Sequence, residues 1–121
     1  MDKAILVGII LPQNNQIDID NHLSELSLLA ETAEIAVLGE ITQKLVKVNP
    51  AFFVGKGKAS QVIEQAKVLD ANLIIFDEEL SPAQIKNYHK LAKDIKVIDR
   101  SALILDIFKK HAKTREAKTQ V

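Results

Sequence analysis

The stretch NLIIFDEELSPAQIKNYHKLAKDIKVIDR, residues 72–100, decides the fold class. Its first five residues, Asn72 to Phe76, form a short apolar run, as a strand covered on both faces requires. Ser81 then offers a helix N-cap, Pro82 suits the first helical position, and Gln84 completes a capping box. Ile85, Tyr88, Leu91 and Ala92 recur at helical spacing and are predicted as the inner face of that helix. Residues 95–99, IKVID, read as another short strand. Two strands joined by a helical crossover run parallel, with a right-handed connection.

The same alternation extends to both sides. KAILVGIIL (3–11) is a continuous apolar run and a buried strand; PQNNQIDIDN reads as a polar loop after it. Leu23, Leu26, Leu29, Ala30 and Ala33 mark a helix, with Asp20 or Asn21 as its N-cap. EIAVLGEITQ (34–43) is a second strand, whose Gly39 predicts a bulge or a close backbone approach. After a loop and Pro50, FFVG (52–55) is strand-like but very short. A helix starting near Lys58 carries Ala59, Val62, Ile63, Ala66 and Leu69 as its apolar stripe. The last helix is marked by Leu103, Ile104, Ile107, Phe108 and Ala112. The expected fold is α/β: a three-layer open sheet, mainly parallel, of about four strands in order 2-1-3-4 with helices on both faces. Residues 1–106 are taken as the α/β domain and 107–121 as the basic end of the last helix. An uncovered sheet edge could pair with a second copy.

Composition narrows the function classes. With 121 residues, 47% hydrophobic and 26% charged, the chain is an ordinary single globular domain. It has no cysteine, which excludes disulfides and thiolate metal sites, and no apolar run long enough to span a bilayer. The apolar N-terminus lacks a small-residue cleavage site, so a cytoplasmic protein without membrane attachment is expected. The net charge of zero is uneven: residues 107–121 carry +4, through Lys109, Lys110, Lys113, Arg115 and Lys118 against Glu116, and the rest carries −4. A basic tail suits an anionic partner such as nucleic acid, although lysines also suit the negative pole of a helix.

GKGK at 55–58 raises the question of phosphate. A P-loop would need Gly where Phe52 stands and Ser or Thr where Ala59 stands. The dinucleotide fingerprint comes closer: Gly55 and Gly57 fit, Ser60 replaces the third glycine, and Asp77 follows at the end of the next strand to hold a ribose. Three readings stay open: a plain βα turn, a nucleotide site of Gly55, Lys56, Gly57, Lys58 and Asp77, or a grip of Lys56 and Lys58 on RNA phosphate. Asp77, Glu78 and Glu79 could hold magnesium, or simply favour the positive pole of the helix at Ser81. His22, His89 and His111 are too scattered for metal-ligand spacing, and no catalytic constellation is present.

Three stretches resemble the N-terminal domain of HflX-type GTPases: FFVGKGK, IIFDEELSPAQIKN and VIDRSALILDIFKKHAKTREAKTQV. With GEITQ they cover residues 39–121; His111, Lys113 and Ala117 depart from the family pattern. The resemblance implies a domain that helps dock on ribosomal RNA of the large subunit and that works beside a GTPase domain. GTP and magnesium would belong to that GTPase domain, because no guanine-reading motif or P-loop occurs in these residues. The chain is therefore expected to be neither an enzyme nor a cofactor protein. Arg100, Lys109, Lys110, Lys113, Arg115 and Lys118 are the RNA-binding candidates, and a second nucleotide site on the GKGK turn is the alternative.

Overall fold

The computed structural model describes the backbone of residues 2–119 and the side chains of residues 2–110. Four strands, β1 (Lys3–Ile10), β2 (Ala36–Lys44), β3 (Leu73–Phe76) and β4 (Lys96–Asp99), alternate with four helices. The helices are α1 (Gln16–Thr32), α2 (Lys56–Val68), α3 (Pro82–Leu91) and α4 (Arg100–Thr119). All three strand pairings are parallel and the order is β2-β1-β3-β4, as the sequence predicts. The alternation along β1 and β3 feeds two cores. Ile5, Val7, Ile9, Ile74 and Phe76 pack against α2 and α3, while Ala4, Leu6, Leu73 and Ile75 pack against α1 and Leu103 of α4. The irregularity expected at Gly39 is present: Ala4 pairs with Val37 but Ile5 with Gly39, leaving Leu38 as the extra residue. The boundary drawn at residue 107 falls inside α4.

Several boundaries differ from expectation. The loop read as PQNNQIDIDN is mostly helix, because α1 starts at Gln16 rather than after Asp20 or Asn21. Asn15 Oδ1 accepts from the Asp18 amide at 2.9 Å and the Asp18 carboxylate accepts from the Asn15 amide at 3.3 Å, a reciprocal cap upstream of the apolar stripe. The cap of α3 is as predicted, with Gln84 accepting from the Ser81 amide at 2.8 Å. Its inner face is not: Tyr88 and Ala92 are buried, but Ile85 and Leu91 are exposed and Gln84 is buried in their place. On α4, Leu103 is buried, Ile104 and Ile107 are half-buried, and Phe108 is 66% exposed; the side chain of Ala112 lies outside the described residues.

The run FFVG is not a strand of the sheet. Asn49 and Phe53 exchange backbone hydrogen bonds at 3.0 and 2.9 Å, closing a tight loop. Asn49 Oδ1 accepts from the amides of Ala51 and Phe52 inside it. Phe53 then takes φ 68°, and Val54 donates to the Phe52 carbonyl at 2.7 Å across it. Such a three-residue γ-turn strains a bulky residue. Here it is held by burial, since Phe53 is only 2% exposed and its ring meets Phe76 edge-on at 5.5 Å.

Candidate functional site

The GKGK turn is placed by α3, not by a preceding strand. Three side chains of α3 hold three carbonyls of the tight loop: Gln84 Nε2 donates to Asn49 O, Asn87 Nδ2 to Ala51 O, and Tyr88 Oη to Phe52 O. The last bond is 2.6 Å long, and burial of Tyr88 pushes its phenol pKa up, so the hydroxyl remains a donor. From the other side, the Gly55 amide donates to Gln43 Oε1 at 2.9 Å, tying the turn to the carboxyl end of β2. Gly55 is the N-cap of α2 and supplies no side-chain cap, so no N-cap side chain occupies the first-turn amides of the helix. Lys56 and Gly57 are exposed and Lys58 is half-buried. α2 starts at Lys56, two residues earlier than predicted, and so the lysines stand on its first turn.

Gly57 is informative because the fold does not require it. Its φ is not positive, and a Cβ built there would meet no atom within 4 Å. Glycine inside a helix costs about 0.5–1 kcal/mol relative to alanine. What the missing side chain leaves is an open approach to the amides between two lysines.

Asp77 sits elsewhere. Its side chain is 2% exposed and turns toward α1 and α4, with the guanidinium of Arg100 at 3.3 Å and His22 Nδ1 at 3.4 Å. Arg100 also binds Glu25 at 3.1 Å. The α2 turn lies on the opposite face of the sheet, so Asp77 and GKGK are not brought together as a ribose-and-phosphate pair. Glu78 and Glu79 are exposed, and among the described residues no group of three or more His, Cys, Asp or Glu could hold a metal. His22 is the residue that sequence reasoning missed: it precedes its partner by more than fifty positions, and no local pattern connects them.

Burial raises the carboxyl pKa of Asp77 above its ordinary 3.8, against the opposing pull of Arg100 and His22. Between 3.8 and that raised value, the fold keeps a proton that the unfolded chain has released, so stability falls as pH rises through this window. Asp77→Asn cannot titrate. Denaturant melts at stepped pH are therefore expected to show the parent losing ground to Asp77→Asn as pH rises above 3.8. A gap that widens in favour of the parent over that range would contradict the assignment.

Two further basic candidates, Lys109 and Lys110, lie at the other end of the sheet. Lys109 and Lys110 border a depression with Asp2, Leu73 and Lys96, at the amino ends of β1, β3 and β4. Lys110 Nζ donates to the Ala33 carbonyl at 2.6 Å, where α1 ends, and approaches Asp106 at 3.5 Å. A cation there suits the negative pole of α1. Lys109 is exposed, whereas the side chains of Lys113, Arg115 and Lys118 lie outside the described residues. The two basic regions are separated along the strands by roughly 20 Å.

A model of the family described as GTP-binding GTPase N-terminal matches residues 20–109. The chain belongs to this family. It is similar to the GTPase HflX of Alkalihalophilus pseudofirmus, 41% identical over 121 residues, covering all of this chain and 28% of that protein. The GTPase HflX of Escherichia coli K12 is 39% identical over 120 residues, covering 99% of the chain and 27% of the relative. The chain thus spans less than a third of the length of these relatives, and it is an HflX-type N-terminal domain. Among solved structures, the SsGBP–GDP complex superimposes with a TM-score of 0.73 at 25% identity, over 99% of this chain and 32% of that one. A GDP-bound GTP-binding protein from Sulfolobus solfataricus gives 0.65 at 23% identity, over 89% and 30%, and bears on the fold alone.

In this HflX-type domain the three signature stretches hold one another. SPAQIKN and the following Tyr88 clamp the loop before GKGK. Asp99 of VIDR accepts from the Leu80 amide at 2.9 Å and from the Ala102 amide at 2.9 Å, joining the end of FDEEL to the start of α4. No helix among the described residues is long and apolar enough to cross a membrane.

Proposed function

We propose that this HflX-type domain is a non-catalytic docking module that grips phosphates of large-subunit ribosomal RNA through Lys56, Lys58 and the first-turn amides of α2. The observation that carries this reading is the open glycine at position 57 between two cations, on a helix start with no side-chain cap. Lys109 would add a second contact at the far end, joined by Lys113, Arg115 and Lys118. GTP and magnesium would be the business of a GTPase domain acting beside it, in the cytoplasm.

Binding of this kind is electrostatic. Affinity for large subunits in a pelleting assay should fall steeply as salt rises, by close to one logarithmic unit per phosphate contact for each tenfold rise in salt. Gly57→Ala separates the site from the fold: it should raise stability by about 0.5–1 kcal/mol while weakening binding. Binding that ignores salt, or a Gly57→Ala domain that binds like the parent, would remove the basis for the proposal. The nucleotide alternative uses the same turn but has lost its ribose partner, since Asp77 is held by Arg100 and His22. Thermal-shift titration with ATP, GTP and NAD separates the two: a nucleotide site adds about 2.7 kcal/mol at a hundred times its dissociation constant, and an RNA grip adds nothing.

A further inference from the structure

β2 ends the sheet on one side, and its outer backbone is set up for a partner strand. The Leu45 amide donates to Ile10 O at 3.0 Å, so residue 45 faces β1. Backbone groups alternate sides along a strand; residues 43 and 41 therefore also face β1, and Glu40, Thr42 and Lys44 turn their N–H and C=O groups outward. The bulge at Leu38 interrupts this alternation and ends the usable edge. Glu40 and Lys44 are exposed, and among the described residues neither has an ion-pair partner.

We infer that this edge pairs with the same edge of a second copy of the chain, antiparallel and about a two-fold axis at Thr42. In that register the three outward residues become the hydrogen-bonded pairs of an antiparallel ladder: Thr42 with Thr42, and Glu40 with Lys44 twice. Each acid meets a base directly across the strands, on the face of the sheet that carries α1. Leu38 and Val46, which are 37% and 85% exposed, flank this ladder at its two ends. Edge charges usually block self-pairing by repulsion. Here the signs are opposite at equal distance from Thr42, so this pattern attracts its own copy.

The ladder is short, so the dimer is weak and concentration-dependent. Light scattering and sedimentation equilibrium of the 121-residue chain at rising concentration should show a monomer–dimer equilibrium. Glu40→Lys or Lys44→Glu alone places like charges across the strands twice and should weaken association on the order of tenfold. The double exchange Glu40→Lys with Lys44→Glu restores both pairs and should restore association. Thr42→Pro removes an outward N–H and no bond to β1, and should abolish it. A chain that remains monomeric at millimolar concentration overturns the proposal and leaves the edge to some other strand. Single and double charge variants that associate alike overturn the register.

Discussion

Tyr88→Ala is expected to lower the unfolding free energy by about 4 kcal/mol, within the range for truncating a buried aromatic ring. Tyr88 is wholly buried and packs edge-on against Phe52 at 5.4 Å and tilted against Phe76 at 5.2 Å. Its removal opens a cavity under β3 and leaves the Phe52 carbonyl without its donor. Since a domain of this size has about 5–15 kcal/mol in total, such a variant would stand near the edge of folding at 37 °C. Tyr88→Phe keeps the rings and loses only the hydrogen bond, at a cost of about 1–2 kcal/mol. Urea melts of the three proteins would order them parent, Phe, Ala. A loss below about 1 kcal/mol for the alanine variant would mean that the aromatic cluster does not anchor α3.

The second large effect is on binding. Exchanging Lys56 and Lys58 together for glutamate is expected to weaken association with large ribosomal subunits on the order of a hundredfold at low salt, and to reduce the salt slope by about two. Acidic residues suit the first turn of a helix, so α2 should be no less stable in this variant. A loss of binding could then not be blamed on unfolding. Lys109→Glu tests the opposite end of the sheet, and a smaller loss is expected there. Lys110 is a poor choice for that test, because its ammonium group is bonded to the end of α1 and its reversal would disturb the fold as well. Unchanged pelleting by the Lys56→Glu, Lys58→Glu variant would end the case for the α2 turn as the phosphate grip.

How much of this was legible beforehand differs between elements. The start of α3 was legible because Ser81, Pro82 and Gln84 interact within one helical turn, whereas its inner face was not. The start of α1 is signalled as locally, by the capping box of Asn15 and Asp18, but the apolar stripe becomes dense only at Leu23, and the stripe by itself points to a later start. FFVG has the composition of a strand, yet Asn49 and the carbonyl contacts from α3 fold it into a loop. The contacts from α3 join residues 35 and 36 positions apart, and a local pattern contains no trace of them. The same holds for Gln84, which reads as a cap and also carries Asn49.

By itself the sequence determined the parallel α/β class and both helical layers, because apolar periodicity and crossover handedness act over short spans; the order β2-β1-β3-β4, one of the arrangements open to it, is decided by the tertiary pairing. It also singled out GKGK as the place where an anion could be met. Tertiary structure alone decided that Asp77 belongs to His22 and Arg100, that Lys110 closes α1, and that the two basic regions sit at opposite ends of the sheet. Those are pairings between residues that only folding makes neighbours, and their charges are spent or kept free according to what packing brings beside them.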